Sequence, residues 1–268
     1  MNSVRKFWSI FLACRAKLLN PFWEAWYWYI SNRDKDGEVI FLNYGYADHN
    51  KLELKKEDES NRYSIQLYNH IADSTRLESL DVLEVGCGRG GGASYMARYL
   101  APKSVKAIDL CKKSIDFCKR YYAIEGLSFC SGDALNLPFM DNNFNVVINV
   151  ESSHRYSDME RFLGEVYRVL KPGGYFLFAD LRDKELIESL KKQLDSCRLK
   201  IIKEEIITSN VIKALALTNE KKIDLIERLV PKLFHGLTKE FAGTKETALY
   251  KSFIKGKKEY LHYILQKD

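Results

Sequence analysis

The stretch Val82-Leu83-Glu84-Val85-Gly86-Cys87-Gly88-Arg89-Gly90-Gly91-Gly92 decides the fold of this chain. Its short apolar run predicts a buried parallel strand, and the glycines after it indicate a tight turn into a helix over 91–100. Backbone without a Cβ can approach a small ligand closely at such a helix N-terminus. Gly86, Gly88 and Gly91 also match the dinucleotide spacing G-x-G-x-x-G, so the turn alone does not separate a nicotinamide cofactor from another nucleoside.

Composition and charge are those of a globular protein. Hydrophobic residues make up 46% and charged residues 29% of the 268 positions, enough for one sizeable α/β domain with added helices or for two small domains. The net charge of +6 arises entirely from Leu181 onward, where there are 19 Lys and Arg against 13 Asp and Glu. Such an excess of positive charge is typical of solvated helices, or of a surface that binds an anionic membrane or an acidic partner. Because no recognised binding motif is present, we expect no nucleic-acid partner.

Cysteine usage and hydropathy favour an intracellular protein. The six cysteines show neither a C-x-x-C pair nor zinc spacing, as in reduced proteins. No apolar run approaches the ~20 residues of a membrane span. Arg5-Lys6 followed by residues 7–14 imitates a short signal peptide, but Arg15 and Lys17 follow at once and no small-residue cleavage site is present. We therefore expect a cytoplasmic protein.

The first 30 residues are strongly aromatic and hold all four tryptophans. Two helical pieces that break near Asn20-Pro21 fit this segment, since proline is favoured at the first helical position. Apolar residues wrap most of the way around the second piece. Such a helix packs on the main domain or touches lipid, so peripheral membrane contact through residues 1–30 is left open.

From Asp81 onward strands and helices alternate, which predicts an α/β fold with a doubly wound parallel sheet. The predicted strands lie at 81–85, 105–109, 127–130, 144–150, 174–180, 199–207 and 259–265. The predicted helices lie at 61–71, 91–100, 112–123, 158–170 and 184–196. Residues 208–255 are expected to form helices inserted before the last of seven strands.

Two acidic residues follow later strands at the same edge of the predicted sheet. Asp109 ends the second strand, 23 positions past Gly86. A carboxylate there can accept both ribose hydroxyls of a nucleoside, whichever cofactor carries it. Gly132-Asp133-Ala134 follows the third strand, where a short acid can accept from the exocyclic amine of adenine or simply cap a turn.

Six motifs come in a fixed order along residues 80–180. They are Leu83-Glu84-Val85-Gly86-Cys87-Gly88, Ile108-Asp109, Gly132-Asp133-Ala134, Leu137-Pro138-Phe139, Phe144-Asn145-Val146-Val147 and Val169-Leu170-Lys171-Pro172-Gly173-Gly174. Together they resemble the class I S-adenosylmethionine-dependent methyltransferases. The resemblance implies S-adenosylmethionine as cofactor, S-adenosylhomocysteine as product, and a Rossmann-like methyltransferase domain over 61–268. Residues 182–255 would include a substrate cap, and residues 1–60 would form N-terminal helices and a lid.

The same resemblance implies a role for each motif residue. The turn with Gly86 and Gly88 would pass beside the methionine part of the donor, and Glu84 would organise that turn and the donor's amino group. Asp109 would bind ribose, and Asp133 would lie near adenine. Further donor-binding residues implied in this way are Leu110, Ala134 and Asn149.

A closer resemblance begins after the fourth strand, at Asn149-Val150-Glu151-Ser152-Ser153-His154-Arg155-Tyr156. It is similar to the methyltransferases of phthiotriolone-type polyketide lipids and to natural-product sugar O-methyltransferases that carry Glu-Ser-Ser-His. The similarity extends to Phe41-Leu42-Asn43-Tyr44-Gly45-Tyr46 and, more thinly, to the C-terminus. It implies methylation of a hydroxyl on a hydrophobic small molecule, either a lipid or a polyketide.

His154 is the predicted general base of this reaction. It lies just past the carboxyl end of the fourth strand, where doubly wound folds place their ligands, and an imidazole with a pKa near ~6.5 can take a proton at neutral pH. By analogy with the sugar O-methyltransferases, Asp180 at the end of the fifth strand would orient His154 or assist in taking the proton; the alternative is a turn-capping aspartate. Glu151 would hold the loop or lie near the sulfonium.

Four residues are assigned to the acceptor side. Arg155 and Tyr156 would shape the substrate mouth, whereas Tyr44 and Tyr46 would close over the donor as a lid or serve as plain packing. Since no cluster of Asp, Glu and His shows ligand spacing, we expect neither magnesium nor zinc.

Two other functions stay open at this point. A C-methyltransferase of the sterol or quinone type would share the donor and differ in its product, a new carbon–carbon bond instead of a methyl ether. A non-catalytic, membrane-associated module would bind the donor or a lipid without turnover. A nicotinamide oxidoreductase leaves the Gly-Asp-Ala and Lys-Pro-Gly-Gly motifs unexplained.

Overall fold

The computed structural model describes Tyr29, Arg33, Asp34 and residues 36–50 and 52–268. All four tryptophans and almost all of the predicted aromatic helices lie outside these residues, as does the membrane contact assigned to them. The division into a 1–60 segment and a 61–268 domain therefore stays a prediction.

Seven strands form one sheet, and each predicted strand is present. Their bounds are β1 Asp81–Val85, β2 Ser104–Asp109, β3 Leu127–Ser131, β4 Phe144–Val150, β5 Leu170–Asp183, β6 Leu199–Ile206 and β7 Lys258–Lys267. The order across the sheet is β3-β2-β1-β4-β5-β7-β6. The chain starts near the middle, winds to one edge and then to the other, which confirms the doubly wound α/β prediction.

The direction of the last strand corrects the expectation of a parallel sheet. Strands β1 to β5 pair in parallel, but β7 runs antiparallel to both β5 and β6. The helices after β6 lie above the carboxyl edge of the sheet, so the chain re-enters from that edge and must run in the opposite direction. The sheet is therefore mixed.

Nine α-helices surround the sheet in the part of the chain described. They are α1 Arg62–Ala72, α2 Gly91–Tyr99, α3 Lys112–Tyr121, α4 Met159–Val169, α5 Lys184–Ser196, α6 Thr208–Leu217, α7 Asn219–Leu229, α8 His235–Ala242 and α9 Ala248–Ile254. The last four confirm the helices predicted before the final strand. Alternate strand residues face opposite sides, so Val82 and Val146 join the core cluster that includes α1 to α3, whereas Leu83 and Val147 join the cluster with α4 and α5.

Strand β5 is longer than predicted at both ends. Helix α4 stops at Val169 as the Lys-Pro-Gly-Gly motif indicates, but pairing with β4 begins at once, at Leu170. A register irregularity follows, and Gly173 has φ +75°, which glycine adopts without strain. At the other end, pairing with β7 carries the strand three residues beyond Asp180.

An extended segment, residues 38–47 and here termed the strap, crosses the glycine turn. Arg89 of that turn is buried and pairs with Asp34 at 2.8 Å, and it also donates to the carbonyl of Val39 at 2.7 Å. The Gly91 amide donates to the carbonyl of Ile40. These contacts fix the strap against the start of α2, beside the carboxyl ends of the strands.

Candidate active site

A cavity of about 390 Å³ opens at the carboxyl ends of β1, β2 and β4. Its walls come from the glycine turn, from the segments after β2, β3 and β4, from the strap and from Phe241 of α8. Ligands of doubly wound sheets bind at this edge because the connections there diverge. Eleven of the fifteen residues predicted for the site line the cavity: Tyr44, Gly86, Gly88, Asp109, Leu110, Asp133, Ala134, Glu151, His154, Arg155 and Tyr156.

The glycine turn brings bare backbone to the cavity wall. Gly86 has φ +79°, and a Cβ built on it would lie 2.1 Å from Ser152 Oγ. Its amide and that of Cys87 donate to the carbonyl of Ile108, which ties the turn to β2. Only glycine satisfies both the backbone angle and the close approach of Ser152.

Asp109 presents its carboxylate at the end of β2. One oxygen accepts from the Gly88 amide and the other from the Cys111 amide, each at 2.8 Å. Burial raises the pKa of Asp109, and the two amides oppose that rise. Each carboxylate oxygen has a second lone pair, so Asp109 could accept two vicinal hydroxyls of a nucleoside. Leu110, 63% exposed, follows in the same wall.

Asp133 and Ala134 lie in the turn after β3. One oxygen of Asp133 accepts from the Leu135 amide at 2.9 Å, so this side chain does cap its own turn. Its other oxygen has no protein partner among the residues described. Capping and ligand binding are therefore compatible here, because they use different oxygens.

Glu84 and Asn149 lie beneath the cavity and do not form its wall. Asn149 donates to the Val85 carbonyl at 2.8 Å and to Tyr156 Oη at 3.1 Å. Glu84 accepts from Tyr68 Oη at 2.5 Å, and burial raises its pKa to about 7. Its second oxygen and Oδ1 of Asn149 are buried and have no hydrogen-bond partner among the residues described.

His154 and Asp180 form a hydrogen-bonded pair at the cavity wall. Nδ1 of His154 lies 2.7 Å from Oδ1 of Asp180, and Arg155 Nε lies 3.3 Å from His154 Nε2. These two partners assign the proton to Nδ1 and leave Nε2 as the acceptor. Asp180 is fully buried and also accepts from Ser153 and from the His154 amide, whereas 27% of the His154 side chain is exposed.

The electrostatics keep His154 neutral and Asp180 charged. Burial lowers the pKa of His154 below its ordinary value, Asp180 opposes this, and the cations Arg155 and Arg182 add to the lowering. Burial alone would raise the pKa of Asp180, but His154 and Arg182 hold it well below its usual range. The pair therefore presents an unprotonated imidazole at neutral pH.

Glu151 is the most constrained residue of the segment after β4. It has φ +48°, uncommon for a residue with a Cβ, and one carboxyl oxygen accepts from the Tyr44 amide at 2.7 Å and Tyr260 Oη at 2.9 Å. Burial raises the pKa of Glu151 to about 8. Its second oxygen has no protein partner in the described chain.

The two tyrosines of the strap, for which a lid or plain packing was expected, lie in different surroundings. Tyr44 lines the cavity, but Tyr46 stacks on His70 with ring centres 4.2 Å apart. Gly45 between them has φ +83° and turns the chain. Tyr46 is a packing residue. Tyr156 hydrogen-bonds Ser152 and Asn149, so it also supports the loop from within.

A second cavity, of about 130 Å³, takes part of its lining from residues 182–255, the segment predicted to include a substrate cap. Its walls are mainly apolar and come from the strap, α1, α7 and α8, and it shares Phe41, Leu42, Asn43, Tyr44, Arg89 and Phe241 with the first cavity. Lys222 lies in it and donates to the Ala242 carbonyl at 2.9 Å. Burial lowers the pKa of Lys222 to about 8, opposed by Glu151. The residues around Lys222 are distant from one another in sequence, so no local motif predicts its position in this cavity.

The first cavity suits an adenine nucleoside joined to an amino acid. The glycine turn forms a cradle that a Cβ would fill, Asp109 offers acceptors for ribose, and Glu84 leaves a buried carboxylate oxygen without a partner below the turn. A zwitterionic donor with a positive amino group complements such an acid.

Comparisons with known proteins agree with this geometry. A family model described as a methyltransferase domain matches residues 83–178. The phthiotriol/phenolphthiotriol dimycocerosates methyltransferase of Mycobacterium tuberculosis is 39% identical over 248 residues, 92% of each chain. The fatty-acid O-methyltransferase of Mycolicibacterium smegmatis is 43% identical over 217 residues, 80% of this chain and 78% of that protein.

Solved structures share the fold at lower identity. Geranyl diphosphate C-methyltransferase from Streptomyces coelicolor, bound to S-adenosyl-L-homocysteine, superimposes with a TM-score of 0.63 at 18% identity, covering 90% of this chain and 95% of that one. The cyclase SpnF superimposes with a TM-score of 0.68 at 20% identity, covering 91% of this chain and 94% of that one. One fold thus carries different reactions, so the acceptor chemistry must be argued from the site.

The sheet, the glycine turn and the cavity define an S-adenosylmethionine-dependent methyltransferase of class I. Within that class, the chain belongs to the methyltransferase family that contains the phthiotriol/phenolphthiotriol dimycocerosates methyltransferases and the fatty-acid O-methyltransferase. No helix among the described residues has the length and apolar character needed to cross a membrane.

Proposed function

We propose that the chain methylates a hydroxyl of a hydrophobic, lipid- or polyketide-like molecule, with His154 as the general base. Methyl transfer from S-adenosylmethionine follows from the family; the acceptor atom and the residue roles are the proposal. The observation that carries it is the His154–Asp180 pair at the wall of the cavity, with Nδ1 and Oδ1 2.7 Å apart.

The chemistry needs a base more than any other group. S-adenosylmethionine supplies the methyl group on a sulfonium, while an alcohol is a weak nucleophile until its proton begins to leave. His154 Nε2 would exchange its contact with Arg155 for the acceptor hydroxyl and take that proton while the oxygen bonds to the methyl carbon. The bond between that carbon and the sulfur would break at the same time, so that S-adenosylhomocysteine leaves, and a placed base contributes about 10²–10⁴-fold. Asp180 holds the Nδ1 proton, fixes the ring and stabilises the imidazolium that forms.

The donor is held by residues of the first cavity. We assign the ribose to Asp109, the adenine side to Leu110, Asp133 and Ala134, and the methionine part to the backbone at Gly86 and Gly88. Glu84 acts from below as partner of the donor's amino group. Asn149 is a positioning residue, since it holds the end of β1 and Tyr156.

The acceptor is assigned to the second cavity and the opening it shares with the first. Its apolar walls favour a hydrocarbon chain, because apolar area removed from water contributes about 25 cal/mol per Å². The names of the mycobacterial relatives, a lipid methyltransferase and a fatty-acid O-methyltransferase, support a lipid-like acceptor. Tyr44, Arg155 and Phe241 would border the passage between donor and acceptor.

A second candidate, esterification of a fatty-acid carboxylate, is favoured by one observation. Lys222 places an amine in the apolar second cavity, where it could pair with a carboxylate. A carboxylate is already ionised at neutral pH and needs no general base. The two candidates therefore differ in how much they depend on His154.

The test is product analysis with the full chain and isotope-labelled S-adenosylmethionine. A long-chain secondary alcohol and the fatty acid of equal length are offered separately, and the products are identified by mass spectrometry. A labelled methyl ether supports the proposal. A methyl ester supports the second candidate, a carbon–carbon bond supports the C-methyltransferase alternative, and S-adenosylhomocysteine binding without turnover of either acceptor contradicts both candidates.

A further inference from the structure

A cluster of two histidines and a glutamate lies outside the cavities. His70 belongs to the last turn of α1, Glu205 to β6 and His262 to β7. Glu205 and His262 are paired across the two strands, so their side chains share a face, and α1 brings His70 onto that face. The ligand atoms of these three residues all lie within 4.8 Å of one another.

The distances suit a tetrahedral ion. Glu205 Oε2 lies 3.0 Å from His70 Nε2 and 3.4 Å from His262 Nδ1. With metal–ligand bonds of about 2.0–2.2 Å, the edge of a tetrahedral site is about 3.4 Å. Two of the three separations lie close to that edge and the third lies within 4.8 Å, so side-chain rotation can bring the three ligand atoms around one ion.

The hydrogen bonding of His262 is poor for a buried ring. The residue is fully buried, and within the described part of the chain its Nδ1 has only the 3.4 Å contact with Glu205 and its Nε2 has no partner. A buried imidazole nitrogen such as His262 Nδ1, whose one contact is this long, is a costly arrangement unless something else binds there.

We propose that His70, Glu205 and His262 bind a first-row divalent transition metal ion, with Zn²⁺ as the best match. Two imidazoles and one carboxylate suit zinc better than magnesium or calcium, which prefer oxygen ligands throughout. Three protein ligands leave a fourth position for water. The ion would fasten α1 to the β6–β7 edge and, through the ring of Tyr46 on His70, steady the strap.

Lys203 is the group that competes with the metal. Its ammonium lies 2.8 Å from the same Glu205 oxygen, and 37% of its side chain is exposed, so it can swing into solvent when an ion binds. Removing this charge leaves the three ligands intact. If the cluster is a metal site, Lys203→Met should bind Zn²⁺ more tightly than the wild type. If the cluster is only a structural ion pair, Lys203→Met should lower the stability of the protein and leave Zn²⁺ affinity unchanged.

The experiment is calorimetric titration of ZnCl₂ into full-length, untagged protein that has been stripped of metal with a chelator. We expect one ion per chain and a rise in the melting temperature on binding. His70→Gln and Glu205→Gln should each weaken binding by at least about tenfold, as metal-site substitutions do. His235→Gln is the control, since His235 contacts the Val230 carbonyl elsewhere in the fold.

Absence of saturable binding would overturn the proposal. So would zinc binding of equal affinity in the wild type, His70→Gln and Glu205→Gln, because the ion would then reside elsewhere, for instance on the free cysteines. The partly exposed His70 and Glu205 keep the test independent of the buried His262, whose replacement can impair folding.

Discussion

The donor and acceptor sides of the cleft are built in different ways. The donor side is made of short segments that directly follow β1, β2 and β3, so each ligand-facing residue has its strand as a local support. The acceptor side joins the strap to α7 and α8, nearly 200 residues later, as in the Tyr44–Phe241 hydrogen bond. The donor-binding segments can thus stay the same throughout a family while the acceptor-binding segments, and with them the acceptor, vary.

The same contrast explains what the sequence could reveal. Strand β1, strand β4 and helix α5 have the predicted bounds because short apolar runs and helical patterns act locally. His154 and Asp180 could be paired because neighbouring parallel strands end at one edge. The reversed β7, the turn at Gly45 that separates Tyr44 from Tyr46, and the position of Lys222 depend on long-range packing, which no local pattern encodes.

The expectation of neither magnesium nor zinc stays a prediction. It relied on close spacing along the chain, whereas His70 and Glu205 are 135 residues apart and meet only because α1 packs on the β6–β7 edge. A ligand set assembled from three elements leaves no signature in linear spacing.

The largest effect on the shared chemistry is expected from Asp180→Asn. Loss of the anionic partner of His154 should lower turnover of an alcohol acceptor by at least about 100-fold, because the base loses its orientation and the support for its charged form. The affinity for S-adenosylhomocysteine should stay unchanged. Asp183→Asn is the matched control, since Asp183 ends the same strand and pairs with Lys258. Equal losses of turnover in both variants would contradict a specific role of Asp180 in supporting His154.

Breaking the link between the strap and the glycine turn should cost stability. Asp34→Ala removes the carboxylate that pairs with the buried Arg89 guanidinium and accepts from the Glu38 and Val39 amides of the strap, and it should lower the free energy of unfolding by about 3–5 kcal/mol in urea titrations. Asp36→Ala, at an exposed neighbouring position, should change it little. A similar stability for both variants would mean that the ion pair does not hold the strap.

Asp109→Ala should act on the donor side alone. Hydrogen bonds to a charged group contribute about 1.5–3 kcal/mol, so the dissociation constant of S-adenosylhomocysteine should rise about 10- to 150-fold. Asp116→Ala on the following helix is the control. An unchanged dissociation constant in calorimetry would show that Asp109 does not bind the ribose.

Lys222→Gln should act on the acceptor side and sharpen the choice between the two acceptor classes. If a carboxylate binds there, the KM for a fatty acid should rise about tenfold, as expected for a lost charge-assisted hydrogen bond, with little change for an alcohol of equal length. Lys239→Gln on α8 is the control, because the Lys239 amine pairs with Glu227 and Lys239 does not line the second cavity. If the two variants have the same KM for the fatty acid, no carboxylate binds at Lys222, and methylation of a hydroxyl remains the favoured candidate.

The central claim is that His154 removes a proton from the acceptor, and the most direct test is the pH profile of kcat/KM for an alcohol acceptor in the wild type and in His154→Ala. Only the neutral imidazole can act as a base, so wild-type activity should fall about tenfold per pH unit below the His154 pKa, which burial places under its ordinary value, and level off above it. His154→Ala should lose this acid limb and at least about 100-fold in rate while retaining its affinity for S-adenosylhomocysteine. An alanine variant within a few fold of the wild type, with the acid limb unchanged, would contradict the assignment.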